Sequence, residues 1–252
     1  MKSPGNCTPS IRCPSDVDIA TTNSMNDLKF DDPLTGSGGL PAADSQSSLG
    51  KPGKIVCIGR NYSEHAKEMG NEVPTEPLFF LKPSTSIIRD GDAIVLPVQS
   101  ERVEFEGEIG ILIGSRLTKA SESEATAAIR GIVAINDVTA RDLQKNDSQW
   151  TRAKGFDTFC PVGPVSEDVA DLENLVVITR VNGEEKQRAR ASEMVFSIPM
   201  LLSYVSHVMT LEPGDLVATG TPSGVAPLKA GDVVEVEIEG VSRVSNPVVG
   251  PR

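Results

Sequence analysis

Short apolar runs separated by polar or glycine-rich segments begin at residue 54, and they predict a chain dominated by β-strands. Runs of four to eight apolar or alternating residues between turn signals are typical of strands. The dipeptide Asn182-Gly183 lies between two such runs and favours a two-residue hairpin turn. The predicted strands are 54–58, 90–97, 104–114, 131–137, 175–181, 184–190, 215–219 and 233–238.

Few segments have helical periodicity, and all of them are short. Apolar positions recur every three to four residues in 197–209, and Ser121 is a suitable N-cap for a helix over 121–129. Further helices are predicted at 61–69 and 141–146. Because strands and helices do not alternate regularly, the sequence predicts a β-rich α+β fold rather than a doubly wound sheet.

Residues 1–50 differ in composition from the rest of the chain. They are rich in Ser, Gly, Pro, Asp and Asn and hold few long apolar side chains. Such a segment buries too little apolar area to offset an ordering entropy of roughly 1–2 kcal/mol per residue. We therefore predict that residues 1–50 are disordered, with a short strand or turn at 28–30 as the alternative. Residues 51–252 are predicted to form one folded domain.

The charge balance and the cysteine count exclude several classes of protein. The chain carries 24 Lys and Arg against 35 Asp and Glu, a net charge of −11, which argues against a general nucleic-acid binder. It contains no run of about 18 apolar residues that would cross a membrane, and its start resembles neither a signal peptide nor a transit peptide. The four cysteines form no C-x-x-C pair. These features predict a cytoplasmic enzyme with reduced thiols.

Three glutamates at alternate positions are the first candidate site. On a strand, Glu104, Glu106 and Glu108 share one face. A solvated strand edge is the ordinary explanation, but the apolar run 109–113 favours a strand that enters the core, where like charges repel unless a cation neutralises them. Carboxylates without imidazole or thiolate partners favour Mg²⁺, Mn²⁺ or Ca²⁺ over zinc.

Two further charged residues have interpretations that stay open. Asp137 follows an apolar run, where its carboxylate is placed to be a third metal ligand, but aspartate is equally typical of a helix N-cap. Lys154 lies between Trp150 and Phe156. It is either a partly buried cation that stabilises an enolate or an exposed loop cation.

The chain has only two histidines, so a metal site made mainly of imidazoles is excluded. His65 and Glu68 are neighbours on one face of a predicted helix. A carboxylate beside an imidazole raises its basicity, as in general bases, and a surface His–Glu contact is the alternative. His207 lies among apolar helix positions and is interpreted as structural.

Seven motifs stand in order between residues 52 and 248. Together they resemble those of the fumarylacetoacetate hydrolase family, in particular its shorter acylpyruvase-like members. The resemblance implies a mixed β-sandwich roll and a homodimer. The motifs are G-R-N-Y-S-E-H-A-K-E-M from Gly59, F-L-K-P-S-T from Phe80, E-G-E-I-G-I-L-I-G from Glu106, N-D-V-T-A-R-D-L-Q from Asn136, W-T-R-A-K-G-F-D-T-F-C-P-V-G-P from Trp150, F-S-I-P from Phe196 and T-G-T-P-S-G-V from Thr219.

The resemblance also implies roles for individual residues. The family's Mg²⁺ or Mn²⁺ ligands fall on Glu106, Glu108 and Asp137, and Glu104 falls on an acidic neighbour outside the ligand set. The family's water-activating His–Glu pair falls on His65 and Glu68, and its pocket lysine falls on Lys154. Its substrate contacts fall on Gln144 and Thr221, and two less certain contacts fall on Arg60 and Lys82.

The activity implied is hydrolytic cleavage of a C–C bond in 2,4-diketo acids, such as fumarylpyruvate, to pyruvate and a carboxylic acid. The alternative is a metal-dependent isomerase, tautomerase or decarboxylase that acts on oxaloacetate or on 2-hydroxyhepta-2,4-diene-1,7-dioate. Both activities require a small anionic 2-oxo or 2-hydroxy acid. A non-catalytic binding protein with the same fold is a third reading, and the presence of every expected site residue argues against it. Residues 1–50 do not resemble the small N-terminal domain of many bacterial relatives.

Overall fold

The structure is a computed structural model, and it describes residues 49–70, 72–169 and 171–251. The disorder predicted for residues 1–50 falls almost wholly outside the described residues and stays a prediction. Across the described residues, no helix has the length and apolar character needed to cross a membrane.

The described residues form short helices and many short strands. The helices are α1 (Ser63–Glu68), α2 (Glu122–Ala127), α3 (Arg141–Asn146), α4 (Thr151–Lys154) and α5 (Ile198–Val208). The strands are β1 (Ile55–Gly59), β2 (Leu78–Lys82), β3 (Ile87–Ile88), β4 (Ile94–Val95), β5 (Val103–Glu104), β6 (Gly107–Ile113), β7 (Ile129–Asn136), β8 (Thr139–Ala140), β9 (Cys160–Pro161), β10 (Val176–Val181), β11 (Glu184–Arg190), β12 (Leu216–Ala218), β13 (Val233–Ile238) and β14 (Ser242–Val249).

Two five-stranded sheets form the frame of the domain. The first has the strand order β2-β1-β12-β6-β7, and the second has the order β11-β10-β13-β14-β4. Most neighbours are antiparallel, but β1 pairs with β12 and β14 pairs with β4 in parallel. Strands β6 and β7 of the first sheet pack against β10, β13 and β14 of the second. This mixed architecture confirms the predicted β-rich α+β class.

The first sheet is buried on both of its faces except at its edge strand β2. Val56 and Ile58 of β1 belong to the core between the sheets, where they join Leu201 of α5. Ile55 and Cys57 alternate with them and belong to a second cluster on the opposite face. A strand that is covered on both sides is a nearly continuous apolar run, which is why β1 could be predicted from the sequence.

Two of the helices begin at a serine cap, and the cap at Ser121 confirms the prediction. The Ser121 side chain accepts a hydrogen bond from the Glu124 backbone N–H, and the Glu124 carboxylate accepts one from the Ser121 backbone N–H at 2.8 Å. This reciprocal pair satisfies two donors that the first turn of α2 leaves open. Ser197 caps α5 by a single hydrogen bond, which its side chain accepts from the Met200 N–H.

The sequence predictions fail where polar residues enter the core or where the chain bends. Strand β14 was not predicted because its buried face contains Ser242 and Asn246 beside Val244 and Val248, which hides the apolar alternation. The predicted strand 104–114 is two strands in the structure, since the pleat is interrupted at residues 105 and 106.

Two buried thiols provide a test of the core. Cys57 and Cys160 are fully buried, and burial raises the pKa of the Cys160 thiol to about 12 and that of Cys57 well above its ordinary value. Only the thiolate attacks a disulfide reagent. In a Cys7→Ser/Cys13→Ser variant, we expect no thiol to react with Ellman's reagent at about pH 8 in the folded state and two to react after unfolding. A thiol that reacts rapidly in the folded protein would contradict this packing.

Candidate active site

Three buried carboxylates meet where β6 begins and β7 ends. These strands are antiparallel, and Gly107 pairs with Asn136. Glu106 and Glu108 flank Gly107, and Asp137 follows Asn136, so the register itself brings the three acids together. The Asp137 N–H donates to the Glu106 carbonyl oxygen at 2.8 Å. One carboxylate oxygen from each acid lies within 4.8 Å of the others.

Buried cations neutralise two of these three acids. Lys154 Nζ lies 2.7 Å from Glu106 Oε2 and 2.6 Å from Asp137 Oδ2. Lys82 Nζ donates to Asp137 Oδ1 at 2.6 Å, and Arg141 donates to Glu106 Oε1 at 2.6 Å. Burial favours the uncharged forms, but the attraction of these partners outweighs it. This attraction lowers the pKa of Glu106 and raises the pKa of Lys154.

Glu108 has no such cation beside it. Its carboxylate accepts a hydrogen bond from the Gly220 N–H at 2.7 Å. Burial, followed by repulsion from Asp137 and Glu106, raises the pKa of Glu108 well above its ordinary value. The three acids and the neighbouring Glu104 make four buried carboxylates. The buried cations among them are three, Lys82, Arg141 and Lys154.

A divalent cation fits this arrangement. It would be held by oxygens of Glu106, Glu108 and Asp137, which are the ligand type that Mg²⁺ and Mn²⁺ prefer. It would also supply the positive charge that Glu108 lacks. With all four carboxylates ionised, the three buried cations and the bound ion would together give this group of residues one net positive charge. An anionic substrate would then meet a locally cationic site in an acidic protein.

Glu104 lies beside the cluster but outside it. Its Oε2 accepts from Arg141 Nε at 2.6 Å, and its Oε1 accepts from Arg102 Nε at 2.6 Å. The expected shared face of three glutamates is therefore only partly realised. Glu104 and Glu106 share Arg141, but the chain bends at Phe105, whose ring is buried in a separate core cluster.

The His65–Glu68 pair lies on α1, and His65 lines the cavity that leads to the acids. His65 Nδ1 lies 3.1 Å from Glu68 Oε2, and the Gly224 N–H donates to the same carboxylate at 3.1 and 3.2 Å from its two oxygens. A carboxylate that accepts a hydrogen bond from the Nδ1–H group holds the imidazole in the tautomer whose Nε2 is free of a proton. The geometry suits a general base.

The cavity has a volume of about 280 Å³. That size lies at the lower end of the range of small-molecule sites, about 300–1,000 Å³, and accommodates a small acid. Phe80 and Trp150 form part of its apolar wall and pack edge to face with their ring centroids 5.3 Å apart. The residues that line it and carry hydrogen-bonding or charged groups are Arg60, His65, Glu106, Arg141, Gln144, Lys145, Lys154 and Thr221.

The structure brings three of the four predicted substrate contacts to the cavity wall. Arg60, Gln144 and Thr221 line the cavity, and Arg60 has a φ of 60°, in the left-handed region that few residues other than glycine adopt. Lys82 does not line the cavity. Its ammonium is fully buried against Asp137, so the structure places Lys82 behind the acids, where it balances charge.

Two residues of the site were not identified from the sequence. Arg141 joins Glu104, Glu106 and the Gln144 side-chain oxygen, the last at 2.6 Å from Nη1. Its position at the start of α3, four residues after Asp137, is the sequence feature that indicates a cation near the acids. Gln187 also contacts the site, and nothing in the surrounding polar strand distinguishes it.

A larger groove lies elsewhere, with a volume of about 740 Å³. Its lining contains scattered charged residues of both signs, including Arg89, Asp90, Glu237 and Arg243. It has neither an imidazole nor a carboxylate cluster among its lining residues, so the smaller cavity is the candidate active site.

The fold and the acid cluster agree with a known family. Residues 54–249 match the family described as fumarylacetoacetate (FAA) hydrolase C-terminal. The chain belongs to this family. The relationship confirms the resemblance that the seven motifs indicated, and the buried acid group is compatible with a divalent-metal site of the fumarylacetoacetate hydrolase family.

Several relatives in the fumarylacetoacetate hydrolase family have named activities. A mitochondrial oxaloacetate decarboxylase of Dictyostelium discoideum is 43% identical, with 75% of this chain and 89% of the relative covered. A mitochondrial oxaloacetate tautomerase of Bos taurus is 42% identical, with coverages of 74% and 87%. The crystal structure of a 2-hydroxyhepta-2,4-diene-1,7-dioate isomerase from Mycobacterium marinum superposes with a TM-score of 0.73 at 46% identity, with coverages of 79% and 75%. Since two of these relatives are mitochondrial, the cytoplasmic location predicted for this chain stays a prediction.

Proposed function

We propose that this chain is a divalent-metal-dependent enzyme that interconverts keto and enol forms of 2-oxo dicarboxylates, with oxaloacetate as the representative substrate. The observation that carries this proposal is the acid cluster at the base of a small, largely cationic cavity beside an imidazole. Named relatives act on oxaloacetate or on an unsaturated 2-hydroxy dicarboxylate, and both substrates have an enol or enolate form. These supports favour the isomerase or tautomerase alternative over the hydrolase expected from the sequence.

The residues at the cavity have complementary tasks. When bound, a divalent cation supplies Lewis-acid stabilisation of negative charge that develops on the 2-oxo oxygen, worth several kcal/mol. Gln144 accepts from Arg141 through its side-chain oxygen, so its NH₂ group is left to donate to a substrate carboxylate. Lys154 and Arg60 add positive charge at the same wall.

The proton transfer falls to His65. In the tautomer that Glu68 favours, Nε2 accepts a proton from C3 of the keto acid, and the electron pair of the broken C–H bond forms the C2–C3 double bond. The electron pair of the C2–O π bond moves onto the oxygen, and the proton held by His65 returns to that oxygen, so the substrate neither gains nor loses atoms. General-base assistance of this kind contributes about 10²–10⁴-fold to a rate.

Hydrolysis of 2,4-diketo acids remains the second candidate. The His65–Glu68 pair, fixed further by the Gly224 N–H, is the observation that favours it. Such a pair can equally take a proton from water, which then attacks the distal carbonyl carbon and releases pyruvate and a carboxylic acid.

A substrate panel tests both candidates. Oxaloacetate, fumarylpyruvate, other acylpyruvates and 2-hydroxyhepta-2,4-diene-1,7-dioate would be assayed with Mg²⁺, with Mn²⁺ and with excess chelator. We expect the metal-bound enzyme to accelerate oxaloacetate enol–keto exchange, which would be monitored by the loss of enol absorbance. Turnover of the acylpyruvates alone would favour the hydrolase, and metal-independent rates would contradict both candidates.

The His65→Ala variant separates the two reactions, and His207→Ala is its matched control because His207 is exposed and its imidazole contacts the Ser203 carbonyl oxygen. We expect His65→Ala to lower the oxaloacetate exchange rate by about 10²-fold or more and His207→Ala to leave it unchanged. If His65→Ala abolishes only acylpyruvate hydrolysis, the pair serves hydrolysis. The predicted homodimer is a separate proposal, which sedimentation velocity would check.

A further inference from the structure

Gln187 is a buried amide on a strand whose neighbours are polar and largely exposed. Its exposed fraction is 2%, whereas Glu184, Glu185 and Arg188 of the same strand are exposed. The pairing of β10 with β11 shifts register directly after Thr179, which lies opposite Gln187. Irregularities of this kind redirect a side chain and are frequent beside active sites. Here the irregularity accompanies a polar group that is directed inward at Gly107, the residue between Glu106 and Glu108.

The orientation of the Gln187 amide is fixed by two backbone groups. Its Oε1 accepts from the Gly107 N–H at 3.0 Å, and its Nε2 donates to the Pro222 carbonyl oxygen at 2.8 Å. The reverse orientation would set two donors against each other at Gly107 and two acceptors at Pro222. The second Nε2 proton is therefore directed at Thr221 Oγ1, which lies at 2.8 Å.

This contact determines what Thr221 can offer to a ligand. Its hydroxyl proton is donated to the Gly107 carbonyl oxygen at 2.9 Å, and one lone pair accepts from Gln187. A hydroxyl has one proton and two lone pairs. Thr221 is thus left with a single acceptor position, and it lines the cavity.

We propose that Thr221 accepts a hydrogen bond from a hydroxyl group of the substrate, and that Gln187 is the positioning residue that occupies one lone pair of Thr221 and leaves a single acceptor position for the ligand. The proposal rests on the proposed function and narrows it, because the ligand form bound at this wall is the enol or 2-hydroxy form. A keto or carboxylate oxygen at the same place would face a lone pair and be repelled.

Thr221 differs in this respect from the donor side chains of the cavity wall. Gln144, Lys154 and Arg60 present donors, which suit carboxylate and carbonyl oxygens. A ligand that satisfies the whole wall must carry acceptor oxygens on one side and a donor on the other. The geometry thereby distinguishes tautomers of one compound, which have the same atoms but place a proton differently.

The test compares two small ligands of similar shape in the presence of Mg²⁺. Oxalate has no donor at neutral pH, whereas oxamate carries an amide NH₂ group. Dissociation constants would be measured by calorimetry for the wild type and for Thr221→Val and Thr221→Ser. We expect Thr221→Val to weaken oxamate about tenfold and to leave oxalate unchanged or tighter, since one hydrogen bond in a buried site is lost. Thr221→Ser keeps the hydroxyl and should retain the wild-type ratio.

Two further variants separate polarity from structure. Thr219 lies in the same loop as Thr221, and its buried hydroxyl donates to the Ile109 carbonyl oxygen. Thr219 does not line the cavity, so Thr219→Val should not change the oxamate-to-oxalate ratio. Gln187→Met frees a second lone pair on Thr221 and removes the donor that orients the hydroxyl oxygen, and it should move the ratio towards oxalate.

Each outcome has a distinct meaning. Equal weakening of both ligands by Thr221→Val, or the same change of ratio in Thr219→Val, would overturn the assigned polarity. An unchanged ratio in a folded Gln187→Met protein would remove Gln187 from its positioning role. Failure of the wild type to bind either ligand with Mg²⁺ would instead contradict the proposed function.

Discussion

Replacing Glu108 with glutamine is expected to stabilise the metal-free protein and to abolish its metal-dependent activity. Glu108 is the buried carboxylate that has a backbone N–H but no cation beside it. Glutamine can still accept from the Gly220 N–H, and it removes a charge whose burial is unfavourable. The same charge is one of three that would hold the cation, so the substitution should separate stability from activity.

The expected magnitudes are large enough to measure. Removal of an uncompensated buried charge should raise the free energy of unfolding by about 1–3 kcal/mol, which corresponds to a few degrees in Tm for a domain of this size. Activity should fall by about 10³-fold or more, because several kcal/mol of Lewis-acid stabilisation would be lost. Thermal melts in chelator and in Mg²⁺, together with turnover assays, would provide both values.

Glu104→Gln is the matched control, because Glu104 is equally buried but is paired with Arg141 and Arg102. Breaking those pairs should lower Tm, so the same substitution made four residues apart should change Tm in opposite directions. A destabilised Glu108→Gln protein in chelator would contradict the charge account of the cluster, as would retention of its Mg²⁺ response.

The stability difference should also depend on pH in a defined direction. The pKa of Glu108 is raised in the folded, metal-free protein, so the folded state keeps a proton that the unfolded chain releases above the ordinary glutamate pKa. The wild type therefore loses stability relative to Glu108→Gln as pH rises from about 4.5 towards the raised pKa. Below that interval both states bind the proton, and the two proteins should differ little.

The alternation of Glu106 and Glu108 and the strand-end position of Asp137 could be identified from the sequence because they depend on local periodicity. A period of two defines a strand face, and an acid after an apolar run marks a strand end. What the pattern could not establish is that β6 and β7 are neighbours, with Gly107 opposite Asn136. The family resemblance supplied that pairing indirectly, and the register explains it physically.

The partners of the acids were harder to predict, since they come from distant parts of the chain. Lys82 ends β2, Arg141 begins α3 and Lys154 ends α4, and no spacing rule links these elements. The residues around Lys154 leave its burial open, and only the family resemblance indicates a pocket lysine there. In the structure its side chain is almost fully buried beside two carboxylates. Gln187 required knowledge of a register shift between two strands, which side-chain periodicity does not reveal.

Replacing Lys154 with methionine should make the protein's stability depend strongly on Mg²⁺. The Lys154 ammonium neutralises both Glu106 and Asp137 in the metal-free site. Its removal leaves four buried carboxylates with two buried cations, and breaking a buried pair costs about 3–5 kcal/mol. In chelator, we therefore expect Tm to fall by several degrees or more.

A bound divalent cation would restore part of that charge balance, so the rise in Tm on adding Mg²⁺ should be larger in Lys154→Met than in the wild type. Lys67→Met is the control, because Lys67 forms an exposed pair with Glu64 that contributes little to stability. Turnover of Lys154→Met should stay low even in saturating Mg²⁺, since the ammonium that faces the cavity is missing. If Lys154→Met has the same Tm in chelator as the wild type, Lys154 does not balance the acids. If Mg²⁺ raises the Tm of both proteins equally, the cation binds elsewhere. The sign and size of this response thus test whether one group of carboxylates serves both the fold and the chemistry.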